Sequence, residues 1–148
     1  MGLVVTRNTL MKQYKSKALL LSGTSYEEVS KLARREHVKI EKLTKRQPYV
    51  RSAYFNKDKV FISLFWTHLM QKHMKVRTKR LKLYNAAIDL LRNSRCDPET
   101  IFKKDDPSTL LHRFYGVTKD GIEFCVQVKQ NKRTGRKDFM SVFDRKVP

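Results

Sequence analysis

The sequence predicts an α+β fold, with N-terminal helices followed by an antiparallel sheet of about four strands. Two observations carry this. Apolar residues recur at helical spacings of three and four as far as about residue 93, and after Cys96-Asp97-Pro98 the pattern becomes extended. An Asp120-Gly121 step then lies between two extended runs, the strongest short-range hairpin signal.

Taking the elements in order, Asn8 is placed to cap a helix running to about Leu21, with Gly23 just past its end as a stop. Ser25 and Glu28 form an S-x-x-E capping box for a second helix, whose stripe Val29, Leu32 and Ala33 is expected to end near His37. Residues 44 to 56 read as a basic loop or short extended piece, because Pro48 forbids a helix through its centre. Lys59 to Ser63, with Val60, Phe61 and Ile62, reads as a short buried strand. The segment Phe65 to Met74 places Phe65, Leu69 and Trp66 on an apolar face, with His68 and Lys72 one turn apart on an adjacent one. Residues 77 to 93 form the strongest helix, burying Leu81, Tyr84, Ile88 and Leu91. Its first half gathers Arg77, Lys79, Arg80 and Lys82, which oppose the helix macrodipole; a phosphate ligand would account for them, and so would a solvated face.

In the sheet, Leu110 to Val117 and Ile122 to Lys129 form the hairpin, followed by a basic turn from Asn131 to Lys137 and a last strand from Asp138 to Phe143. Ile122, Phe124, Val126 and Val128 alternate with Glu123, Cys125, Gln127 and Lys129, so one face is core and the other polar. A two-residue turn at Asp120-Gly121 would put His112 and Phe114 on the polar face. A three-residue turn with Gly121 in a left-handed bulge would put Arg113 and Tyr115 there instead. Both registers remain open at this level. The chain divides into a basic helical N-terminal extension, 1–56, and an α+β domain, 57–148.

Lysine and arginine number 33 against 14 acids, a formal charge of +19. Such an excess calls for a polyanion, and each phosphate neutralised adds affinity through counterion release. RNA is the expected partner, with DNA as the alternative. Residues 1–56 carry 12 basic and 4 acidic side chains, residues 57–95 carry 10 and 2, and residues 96–148 carry 11 and 8. The footprint is therefore expected on the helical part and its junction with the sheet, with Arg46, Arg51, Arg77, Lys79, Arg80 and Lys129 as nucleic-acid-binding candidates. Tyr49, Tyr54 and Phe55 interleave with cations as bases or core would each require. No apolar run approaches the roughly 20 residues that span a bilayer, so no membrane partner is expected. Cys96 and Cys125 fit neither a metal knuckle nor a disulfide framework, consistent with reduced thiols in a cytoplasmic protein.

The chemistry suggested is proton transfer. Residues 57–95 contain only Asp58 and Asp89 as acids, and Asp97, Glu99, Asp105 and Asp106 read as a loop, so no metal or other cofactor is expected. His68, His112 and Ser141 among many cations suit RNA cleavage in which the substrate's own 2′-hydroxyl attacks the adjacent phosphate. Lysine and arginine then hold the charge that builds on the phosphate. The bland alternative is that each histidine is structural.

Residues 57 to 144 resemble the barnase, EndoU, colicin E5/D and RelE-like nucleases, especially those of phages and mobile elements. The stretches that carry the resemblance are Lys-Val-Phe-Ile-Ser, Phe-Trp-Thr-His-Leu-Met-Gln-Lys, Arg-Thr-Lys-Arg-Leu, His-Arg-Phe-Tyr-Gly, Phe-Cys-Val-Gln-Val-Lys and Phe-Met-Ser-Val-Phe. The resemblance implies two helices followed by a four-stranded antiparallel sheet, with active residues from a helix and the open sheet face. It makes His68 and Lys72 the helix contribution, His112 or Arg113 the central-strand one, and Ser141 the final-strand hydroxyl. It implies a metal-independent ribonuclease, a toxin or phage-derived effector, with an acidic inhibitor or antitoxin as a further partner. The rival readings are a non-enzymatic RNA- or DNA-binding protein and a helix-turn-helix regulator, the latter from two short helices across Ser22-Gly23-Thr24.

Overall fold

The computed structural model describes residues 3–6 and 13–145. Its strands are β1 (Leu3–Thr6), β2 (Tyr14–Lys15), β3 (Tyr49–Ser52), β4 (Asp58–Phe61), β5 (Glu99–Lys103), β6 (Asp106–Val117), β7 (Glu123–Asn131) and β8 (Lys137–Asp144). The helices are α1 (Tyr26–Leu43), α2 (Ser63–Leu69), α3 (Met74–Lys82) and α4 (Tyr84–Asn93). All eight strands join one sheet in the order β1-β5-β6-β7-β8-β4-β3, with β2 beside the end of β6. The α+β class stands, but the sheet is larger than the expected four strands and mixed rather than antiparallel. Both β2–β6 and β4–β8 are parallel pairs. The extra strands, β1, β2, β3 and β5, are short pieces of two to five residues.

The helix expected from Asn8 to Leu21 is not formed over its described part, and Asn8 itself lies outside the described residues. Residues 13–24 carry only the two-residue strand β2 and are otherwise irregular, their polar groups bonded to distant partners. Asp89 on α4 accepts from Tyr14 OH (3.1 Å), Ser16 Oγ (2.7 Å) and the Lys17 N–H (3.1 Å). The Ser16 N–H donates to the Val117 carbonyl and the Leu21 N–H to that of Lys82, both at 2.9 Å. Burial disfavours the Asp89 charge, but the bonds from Ser16, Asn93, Lys17 and Tyr14 outweigh it and hold the carboxyl below its ordinary range. The two-helix arrangement across Ser22-Gly23-Thr24 is accordingly absent.

The capping box at the start of α1 forms as read. Ser25 Oγ accepts from the Glu28 N–H (3.2 Å), and the Glu28 carboxylate accepts from the Ser25 N–H (3.4 Å). The helix does not end near His37, because its buried stripe continues from Val29 and Ala33 through His37 to Ile40. His37 is a core residue: Trp66 Nε1–H and Tyr84 O–H each donate to its Nδ1 at 3.0 Å. The single helix expected over 77–93 is two, broken at Leu83 (φ −91°, ψ 2°). Leu81, Leu83 and Tyr84 are all buried, more than one face of a straight helix presents in four residues.

Beneath the helices, Phe65 stacks on Phe139 at 4.8 Å and Tyr84 lies against both. Phe114, Phe124, Val126, Val128 and Val142 complete the sheet side of this core. The boundary read between 56 and 57 falls in the β3–β4 turn, where Asn56 and Lys57 take left-handed φ of 55° and 68°. Among the described residues, no helix is long and apolar enough to cross a membrane.

Candidate active site on the open sheet face

The β6–β7 turn decides which side chains share the polar face. The Thr118 N–H donates to the Ile122 carbonyl (2.9 Å) and the Gly121 N–H to the Thr118 carbonyl (3.0 Å), with Gly121 at φ +89°. This is the three-residue loop with a left-handed glycine, and it sets the parity of β6. Arg113 pairs with Gln127 and Tyr115 with Cys125 on the face away from the helices. His112 pairs with Val128 on the helical face.

A second irregularity places Ser141. Strict alternation would put it on the same face as Phe139, two residues before it. Instead Gln127 pairs with Ser141 while the next residue, Val128, pairs with Phe139, so Met140 is the extra residue of a β-bulge. Phe139 stays in the core, and Ser141 turns to the open face, where its Oγ donates to Gln127 Oε1 at 2.8 Å.

The open face then carries rows of register partners. One is Glu99, Arg113, Gln127 and Ser141 across β5, β6, β7 and β8. Beside it, Tyr115 and Cys125 lead to Phe143. Glu99 is only 7% exposed; Tyr115 OH donates to its Oε1 at 3.3 Å, and Arg113 Nη1 lies 4.0 Å from the same oxygen. Arg113 Nε is buried with no hydrogen-bond partner. The guanidinium of Arg145 covers the Tyr115 ring at 4.4 Å, and that of Arg80 approaches Phe143 at 5.5 Å. Burial raises the Tyr115 pKa, with Cys125 and Glu99 adding to it. Burial likewise pushes the Cys125 thiol up to about 12, so it stays protonated at neutral pH.

On the other side of the Glu99 row, Ile101, Leu111 and Lys129 line a cavity of about 230 Å³ together with His68 and Met140. Beyond Asp138, β8 has no strand partner on its outer edge, and α2 and α3 pack there. That position carries the half-buried His68 and Arg80 to the border of the open face. No known family, curated protein or solved structure matches this chain.

Of the residues singled out from sequence, the structure brings Arg113, Ser141, Lys129, His68 and Arg80 to or beside this face. It does not bring His112. That ring donates from Nε2 to Gln130 Oε1 (2.8 Å), accepts at Nδ1 from Thr100 Oγ1 (2.9 Å), and packs against Phe55. Burial lowers its pKa, partly offset by Gln130. Lys72 is not one helical turn after His68 in α2, which ends at Leu69. It sits exposed in the following turn, its carbonyl accepting from Arg77 Nε at 2.8 Å. Arg77 also donates to the Met70 carbonyl (2.7 Å) and so caps α2, while Lys79 is exposed. Arg46 and Arg51 lie at the far edge, near β3.

The sequence places Glu99 in an acidic loop, whereas it opens β5. The signal that could have placed it is Pro98 followed by Glu-Thr-Ile-Phe-Lys, a strand start after a proline with period-two alternation. Among the described residues no three His, Cys, Asp or Glu side chains lie close enough to hold a metal ion.

Proposed function

We propose that this protein is a metal-independent ribonuclease of the barnase, EndoU, colicin E5/D and RelE-like type, with its reaction centre on the open sheet face. The observation that carries the reading is Arg113. Its side chain is 37% exposed and lies 4.0 Å from the buried Glu99 carboxylate, so the outer edge of the guanidinium is open to a phosphate. Glu99, oriented by Tyr115, accepts the proton of the substrate 2′-hydroxyl. The freed oxygen attacks the adjacent phosphorus. Arg113 and Lys129 hold the added negative charge, a contribution of roughly 10²–10³ in rate per donor. His68 gives a proton to the departing 5′-oxygen, leaving a 2′,3′-cyclic phosphate and a 5′-hydroxyl; histidine is the side chain suited to that exchange near neutrality. Ser141 and Gln127 position the phosphate from the neighbouring strands.

The test is incubation of the purified protein with total RNA in EDTA, with analysis of product termini. Cyclic-phosphate fragments that disappear with Glu99→Gln and His68→Ala, and persist with His112→Gln, are the expected result. Intact RNA that shifts on a native gel would make the protein a binder rather than an enzyme. Equal activity in wild type and Glu99→Gln would remove Glu99 from its role.

A further inference from the structure

The row of the open face that holds Ile101, Leu111 and Lys129 does not stop at β7. Lys129 pairs with Asp138 on β8, Asp138 with Phe61 on β4, and Phe61 with Tyr49 on β3. The burial pattern agrees: Val50, Ser52, Val60 and Ile62 are buried towards the helices, which leaves Tyr49, Arg51, Lys59 and Phe61 on the opposite face. One continuous surface therefore runs from the candidate reaction centre to the β3 edge. Three strand spacings of about 4.8 Å put Tyr49 roughly 14 Å from Lys129.

At that edge like charges are held close together. Arg51 and Lys59 are direct cross-strand partners, and like charges in that position repel. Both also crowd one ring, with Lys59 Nζ 4.7 Å and Arg51 Cζ 5.4 Å from the centroid of Tyr49. The guanidinium of Arg136 lies 4.1 Å over Phe61, and Tyr49 meets Phe61 edge-on at 6.0 Å. Lys45 and Arg46, exposed in the loop after α1, border the same shallow depression of about 800 Å³. The nearby acids do not balance these charges: Asp138 is bridged to Arg136 and Asp58 to Lys137, each at 3.1 Å. Among the described residues no carboxylate forms an ion pair with Lys45, Arg46, Arg51 or Lys59.

We infer that the Tyr49–Phe61 edge is a binding subsite for single-stranded nucleic acid, occupied by nucleotides flanking the phosphate at the reaction centre. Tyr49 and Phe61 offer rings on which unpaired bases stack, and Arg51, Lys59, Lys45 and Arg46 hold the phosphates between them. A duplex keeps its bases stacked inside and gains only the charge. The proposal deepens the ribonuclease reading by assigning its substrate as unpaired strand, yet the binding it describes needs no cleavage.

The test uses a labelled single-stranded deoxyoligonucleotide, which has no 2′-hydroxyl to attack, and a duplex of the same sequence, read by fluorescence anisotropy across a salt series. Tyr49→Ala is expected to weaken single-strand binding about tenfold, the scale of one lost base stack, with little effect on the duplex. Arg51→Gln with Lys59→Gln is expected to lower the salt slope for the single strand by about 1.4, for two lost phosphate contacts. Wild-type single-strand affinity in Tyr49→Ala would overturn the proposal. So would equal losses in the double variant for single strand, duplex and polyglutamate, which would mark the edge as a docking surface for an acidic protein. If RNA stays uncut by wild type while Tyr49→Ala loses single-strand binding, the subsite stands and the ribonuclease reading falls. If RNA is cut and Tyr49→Ala binds as wild type, the subsite alone falls.

Discussion

Replacing Arg113 by methionine separates a functional guanidinium from a structural one. The substitution keeps an unbranched side chain on β6 out to about the position of Nε and removes the outer guanidinium with its charge and donors. Two small terms bear on stability and oppose each other. The ion pair with Glu99 is 4.0 Å long and the arginine side chain is 37% exposed, so the pair itself is worth about 0–1 kcal/mol, and the Tyr115 hydroxyl still donates to the buried carboxylate after the change. Removing the buried, unpartnered Nε recovers about 1 kcal/mol. The net change is within about 1 kcal/mol, a shift of roughly 2–4 °C in Tm for a chain of this size. Cleavage is expected to fall by about 10²–10³, as when one transition-state donor is removed. The assay pairs single-turnover cleavage of a short fluorogenic RNA in EDTA with a thermal melt of the same preparation. A variant that cuts within threefold of wild type refutes the role given to Arg113. A variant that loses cleavage together with 10 °C or more of Tm refutes the energetic argument, since the guanidinium would then be a structural part of the sheet.

Other expectations follow from burial. Burial holds the His37 pKa below its ordinary value against the pull of Glu41, with Arg34 adding to the depression, and burial lowers His112 as well. The unfolded chain takes up these protons first, so stability is full above about pH 6.5 and declines as pH falls below it towards the folded values. Urea denaturation at pH 7 and pH 5 should show a lower midpoint at pH 5, and a smaller difference in His37→Gln; an unchanged midpoint would contradict this. Gly116→Ala would set a Cβ 2.7 Å from Phe124 Cζ and 3.0 Å from Leu90 Cδ1, costing about 1–3 kcal/mol of overpacking; a wild-type melt would disprove the close approach. With iodoacetamide at pH 8, the half-buried Cys96 should alkylate in the native protein while Cys125, buried with its thiol pushed up to about 12, should not until denaturant is added. Rapid native labelling at both positions, mapped by mass spectrometry, would contradict that burial.

Several elements were legible because their signals are local. Ser25 and Glu28 lie three residues apart and satisfy each other within one turn, so the start of α1 could be read without any partner. Alternation from Phe124 to Val128 likewise identified the core face of β7, since period two follows from the pleat alone. The strand expected from Lys59 to Ser63, marked by its β-branched and aromatic run, forms as Asp58–Phe61, with Ser63 already in α2. The charge excess is a property of composition.

What only the tertiary structure decided is which side of the sheet each β6 and β8 side chain occupies, and what the N-terminal segment does. Parity depends on single residues of backbone path: the left-handed Gly121 puts Arg113 rather than His112 on the open face, and the bulge at Met140 separates Ser141 from Phe139. Neither is encoded in alternation, because a one-residue slip inverts every later position. The helix read over residues 8–21 gave way in its described part to long-range partners: Asp89 lies more than 70 positions away and claims three of the segment's donors. His37 looked like a helix end and is instead a hydrogen-bond acceptor for Trp66 and Tyr84. By itself the sequence determined the α+β class, the large positive charge and the inventory of titratable side chains, all of which follow from composition and short periods. The grouping of Glu99, Arg113, Tyr115 and Ser141 on one surface rests on successive strand pairings that bring together residues up to 42 positions apart, and distance along a chain is what local pattern does not carry.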